Sequence, residues 1–260
     1  MTIPRSPTQA PHTAVETNSF LNDVANTPCA RRAQLRRYEV NALTSCGEMV
    51  QSRHIAPALP MFEDAFCAFT RGSLVETDQG PMAIEDLLPG DKIITGDGST
   101  QVLLWKGSTV MVPGRPNARG RTHTLTRIMA DTFGMQRPRS GVIAGHSARL
   151  LATPAHLRHL SLDKPILTPV HAFLDGTSVV ETLPPTPVEL FHLCLRRHAL
   201  INVDGLQFET YHPGIGATRT VGQPLRDLYL SLFTHIDSLT DFGPQILPRA
   251  GDGEINAITA

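Results

Sequence analysis

The sequence predicts an all-β fold of short strands and hairpins, closed by a helical C-terminal extension. Three observations predict it. Proline (21) and glycine (20) are abundant among the 260 residues and aromatics reach only 5%, which suits a turn-rich chain better than a helical bundle. Short apolar runs alternate with turn signals from residue 66 to residue 214. The clearest helical period comes late, where Leu225, Leu228, Leu232 and Ile236 fall on one helix face.

Taken in order, residues 1–60 are rich in Thr, Ser, Pro and Asn and read as a flexible leader, with a helical pattern at residues 31–40. Residues 61–214 read as one domain. Within it, residues 73–77 form a strand, and Asp78-Gln79-Gly80-Pro81 turns the chain into residues 82–84. Leu88-Pro89-Gly90-Asp91 is a second turn, with proline presetting φ and glycine relaxing it. Residues 92–95 and 101–105 flank the loop GDGS as a hairpin. Asp204-Gly205 joins the apolar runs 199–203 and 206–208, a strong hairpin signal because both central residues need positive φ. Between these β regions TLTRIMADTFG, residues 124–134, has helical potential with a glycine at its C-terminal end. Residues 215–260 read as the terminal helix and a tail, with Gly243-Pro244 stopping the helical segment.

Charge and composition exclude several function classes. The net charge of -1 creates no global field that would draw the chain to nucleic acid or anionic lipid. The nearest thing to a basic patch, ARRAQLRRY, reads as a short amphipathic helix or a solvated segment. No apolar stretch is long enough to span a bilayer and the first residues lack a signal-peptide core, so a cytoplasmic location is expected. Cys29, Cys46, Cys67 and Cys194 are widely spaced without C-x-x-C, which argues against a disulfide framework or a zinc site. His156, His159, His171 and His212 lack H-E-x-x-H spacing and acidic partners and read as surface histidines. Gly214 and Gly216 begin a G-x-G, but Arg219 stands at the third glycine and no βαβ pattern surrounds it. No cofactor or metal is expected.

The run GSLVETDQGPMAIEDLLPGDKIIT, residues 72–95, resembles the opening of a Hint domain, the module shared by hedgehog C-terminal regions and inteins. The bacterial hedgehog/intein group, of the alphaproteobacterial type, is the nearest resemblance. FHLCLRRHALINVDGLQFET, residues 191–210, resembles the closing motif, and LTPVHAFLDG, residues 167–176, the middle strand and loop. Together they span residues 67–214. The resemblance implies a Hint-like horseshoe of short strands that breaks or rearranges its own peptide bond. An opening cysteine attacks the preceding carbonyl and converts the amide to a thioester. A histidine three residues after a Thr or Ser polarises the scissile amide, and a second, late histidine assists.

Carried over residue by residue, the resemblance implicates Cys67, His146 and His198, each with a qualification. Phe69 and Gly72-Ser73 fit the family's spacing in a way that puts Ala68 at the nucleophile position and Cys67 one residue early. In a strand a shift of one turns a side chain to the opposite face, although a bulge restores it. Gly145 falls at the Ser/Thr position and Ala148 at the histidine, leaving His146 two residues short, about 7 Å along a strand. His198 matches the late histidine, six residues before Asp204. Glu209-Thr210 replaces the terminal His-Asn, so asparagine cyclisation has no candidate there. Two functions follow as expectations. One is single-turnover autoprocessing with the protein's own N-terminal segment as substrate. The other is a catalytically inactive Hint-fold module that binds a protein partner or serves as a scaffold.

Overall fold

The computed structural model describes residues 34–114, 124–157, 165–214 and 221–250. These fold mainly as strands. β1 (Leu35–Leu43) and β2 (Met49–Pro57) form a hairpin, followed by the one-turn helix Pro60–Glu63. Next come β3 (Phe69–Thr70), the hairpin of β4 (Leu74–Thr77) and β5 (Gly80–Ala83), β6 (Lys92–Ile94) and the long β7 (Thr100–Met111). β8 (Leu125–Ile128), β9 (Val142–Ala144), β10 (Arg149–Leu151), β11 (Leu167–Pro169) and β12 (Val179–Thr182) are short. β13 (Val188–Leu195) and the Asp204-Gly205 hairpin of β14 (Leu200–Val203) and β15 (Leu206–Glu209) complete the strands. The turn has the expected geometry, with φ of 50° at Asp204 and 88° at Gly205.

The strands join in one fifteen-stranded antiparallel arrangement in which β7 is the shared spine. Its first residues pair with β6, and the rest lie between β1 and β13. A register shift at Cys194/Leu195 opposite Trp105 and Leu103 lets the β7–β13 ribbon bend there.

Burial on both faces of this ribbon produces two hydrophobic cores. Along β13, Phe191, Leu193 and Leu195 enter the first core with Phe69, Val75, Ile201 and Phe208. Leu190 and Cys194 enter the second, with Tyr38, Phe66, Trp105 and Tyr211. Alternation at period two assigns neighbouring residues to different cores. The second core is capped by the helix Gln223–Leu230 and the turns after it. Leu232, Phe233 and Ile236 are buried there, and the Trp105 indole N–H donates to the Leu232 carbonyl at 2.7 Å. Gly107 lies against the Trp105 and Phe66 rings, where a β-carbon would collide with both. The helical extension is thus the lid of a core that the strands leave open.

Four expectations change. The helix expected to run to Ile236 ends at Leu230, and Leu232 and Ile236 are buried from the turns that follow. The helical pattern at residues 31–40 is strand from Leu35 onward, with Tyr38, Val40 and Ala42 buried in the second core at period two. Of the leader expected through residue 60, residues 1–33 lie outside the described residues, and residues 34–60 are the β1–β2 hairpin leading into the one-turn helix. That hairpin is held because β1 pairs with β7. The helical stretch expected at residues 124–134 is β8 followed by a turn at Asp131, whose φ is 59°. Its pairing with β9 and β12 outweighs local propensity. His159, Gly216 and Arg219 lie outside the described residues.

Candidate functional site

The opening of the domain is a short extended segment clamped on both sides. The Ala68 amide donates to the Phe191 carbonyl at 3.1 Å, which fixes the segment against β13. On the other side the Gly145 amide donates to the Ala68 carbonyl at 2.8 Å and the Ser147 amide to the Cys67 carbonyl at 3.2 Å. The segment containing Gly145, His146 and Ala148 is therefore laid along the Cys67–Ala68 peptide. A β-carbon on Gly145 would collide with the Cys67 carbonyl oxygen, so glycine is what allows this approach.

Cys67 and Ala68 point into different cores. Ala68 is fully buried in the first, together with Ala148. Cys67 is fully buried in the second, with Tyr38, Phe62 and Phe66. Burial pushes the Cys67 thiol far above its usual range, and the Arg36 guanidinium, which hydrogen-bonds it, offsets only part of that. Arg36 in turn pairs with the buried Glu63 at 3.2 Å.

His146 sits at the surface end of this segment. Its Nε2 lies 3.3 Å from Oδ1 of Asp64, and the two side chains are 36% and 44% exposed. The pair brings His146 beside the chain just upstream of Cys67. His198 belongs to a separate cluster: its Nε2 is 2.9 Å from Oε1 of Glu209, and its Nδ1 accepts from the Ile246 amide at 3.1 Å. Of the three residues carried over from the resemblance, Cys67 and His146 flank the opening segment, whereas His198 has its described partners elsewhere.

His192 is a residue that sequence reasoning passed over. It directly follows Phe191, the acceptor for Ala68, and its ring meets Phe69 at 5.8 Å and Tyr211 at 5.3 Å. Its Nδ1 accepts from the Leu193 amide at 3.1 Å. Burial lowers its pKa to about 3, so it is neutral at ordinary pH. The signal available was a histidine within the apolar run FHLCL, a polar group where every neighbour is core. His212, expected at the surface, is buried instead, because its ring is drawn into the hydrogen bonds of the C-terminal segment. His156 and His171 are exposed. Among the described residues, no group of three or more His, Cys, Asp or Glu side chains is arranged to hold a metal.

The sequence pattern of the Hint domain family matches residues 67–215, more than half of the chain. The chain belongs to the Hint domain family. Among solved structures, a bacterial intein-like domain from Clostridium thermocellum is 12% identical, with a TM-score of 0.40, over 56% of this chain and 99% of that one. The MchDnaB-1 intein is 14% identical, with a TM-score of 0.32, over 55% of this chain and all of that one. No curated protein matches. The Hint domain is an autoprocessing type of module, one that acts on its own flanking segments, and this is the general kind of domain the chain carries. Its family match opens at Cys67, so the clamped segment is the first stretch of the Hint domain. No helix among the described residues is long and apolar enough to cross a membrane.

Proposed function

We propose that this Hint domain is catalytically silent and serves as a binding or scaffold module for a protein partner. One observation carries the reading: Ala68 and Ala148, at the positions of nucleophile and histidine, are buried together in the first core, while the nearest thiol is turned into the second. Thioester formation needs a sulfur placed to attack the carbonyl of the preceding residue and an imidazole to polarise the departing amide. Ala68 has no sulfur and Ala148 no ring. Cys67 is held as a neutral thiol against Arg36, away from the Ala68 side of the segment.

A second reading is favoured by the Asp64–His146 pair. There Cys67 attacks the Phe66 carbonyl, a carbon–sulfur bond replaces the carbon–nitrogen bond, and His146 takes the thiol proton and delivers it to the freed amine. The intact mass of the full chain, incubated with and without excess thiol beside Cys67→Ala, separates the two readings. The silent reading expects one mass, 28.3 kDa, in every condition. Thiol-dependent fragments meeting at Phe66 and Cys67 in the parent alone would overturn it.

A further inference from the structure

The last described segment, residues 243–250, is tied down by a buried polar network. Arg249 lies beside Leu167 in a parallel bridge, with the Leu167 amide donating to the Pro248 carbonyl at 2.9 Å and the Ala250 amide to the Leu167 carbonyl at 2.8 Å. The Arg249 guanidinium donates from Nε to both Glu209 oxygens, at 2.8 and 3.1 Å, and from Nη2 to the His212 carbonyl at 2.7 Å. Two imidazoles hold the preceding residues. His212 Nε2 donates to the Gly243 carbonyl at 2.9 Å, and His198 Nδ1 accepts from the Ile246 amide at 3.1 Å. We propose that residues 243–250 form a strap latched through the rings of His198 and His212, and that acid releases it while the strands stay folded.

The hydrogen bonds fix both tautomers. His212 Nδ1 accepts from the Gly214 amide at 3.0 Å, so its proton is on Nε2, as the bond to Gly243 requires. His198 accepts at Nδ1, so its proton is on Nε2 and points to Glu209. A second proton on either ring would place an N–H against an amide N–H. At His198 that amide belongs to the strap itself.

Charge acts in the same direction. The rings lie 4.9 Å apart. The charged groups around them are Glu209 on β15, Arg249 on the strap and Arg149 on β10, whose Nη1 is 4.0 Å from Glu209, with His192 on β13 also in the field of Glu209. Asp241, Arg196 and Arg197 line the adjoining groove of about 470 Å³ with His198. One buried carboxylate already faces two guanidiniums. Two imidazoliums would add like charge that Glu209 cannot balance, and release of the strap removes Arg249 and hydrates both rings. Burial lowers the His212 pKa to about 4, so that ring is uncharged at neutral pH.

Amide hydrogen exchange of the full chain, corrected for the intrinsic effect of pH, tests this at pH 7 and at about pH 4. The strap account expects amides of residues 243–250 to exchange about tenfold faster or more at the lower pH, with β7 and β13 still protected. It also expects this response to vanish in H198Q/H212Q, because glutamine can donate and accept in place of each ring without titrating. If that double variant does not fold, H198Q alone carries the test and should shrink the response. Equal protection at both pH values, loss of protection throughout the molecule at once, or an unchanged response in the foldable glutamine variant would each overturn the proposal.

Discussion

The opening and the closing ends of this Hint domain use their buried side chains in different ways. At the opening, Ala68 and Ala148 pack into one core and the adjacent Cys67 into the other. At the close, His198 is present and buried, but its partners are Glu209 and the backbone of the C-terminal segment. A residue's type therefore says little about its task until its partners are known. Removal of a polar group and its replacement by an apolar one of fitting size is tolerated, whereas a retained polar group in a core must be fully bonded.

Truncation should expose this contrast. Glu209→Ala leaves Arg249 and His198 buried without their carboxylate and is expected to cost about 3–5 kcal/mol, measured by denaturant unfolding. Burial pushes the Glu209 carboxyl up, yet the His198 hydrogen bond and Arg249 outweigh it and hold the pKa below its usual value, so the charge is present at neutral pH. Cys67→Ala removes one buried sulfur and should cost roughly 1 kcal/mol. Equal costs at the two ends would remove the distinction.

Acid sharpens the comparison on a smaller scale. His212 and His235 have pKa values lowered to about 4, and His192 to about 3, in each case first by burial. Their ordinary value is 6.5, so below it the unfolded chain binds protons that the folded one refuses. The stability from keeping these rings neutral is complete above pH 6.5. It is lost as pH falls through about 4 for His212 and His235, and through about 3 for His192. Melting temperature against pH should therefore decline below about 6.5, and H212Q should flatten part of that decline. A melting temperature level from pH 7 to about 4 would contradict the assignment.

Much of the fold was legible in the sequence because its turns are written in residues with few alternatives. Asp204-Gly205 and the run EDLLPGD announced their turns, and the hairpin of β14 and β15 formed where expected. The β1–β2 hairpin was hidden because its strands are only half apolar. Arg37, Glu39 and Asn41 alternate with Tyr38, Val40 and Ala42, and the pairing with β7 that makes this pattern a strand is distant in sequence. At the candidate site, Cys67 and His146 could be picked out directly, but their surroundings could not. That Cys67 turns into a different core from Ala68 depends on the hairpin and the C-terminal cap, which build that core. His192 and the latch around His198 were invisible for a related reason: their partners, Tyr211, Glu209, Ile246 and Arg249, are brought together only by the folded chain.

The account turns on Cys67 being core and not a poised nucleophile. Differential alkylation of the native full chain, read by peptide mass mapping, tests this most directly, with the exposed Cys46 as internal standard. The account predicts that Cys46 is modified while Cys67 stays unmodified until the chain is unfolded. Modification of Cys67 in the folded protein at a rate close to that of Cys46 would contradict it.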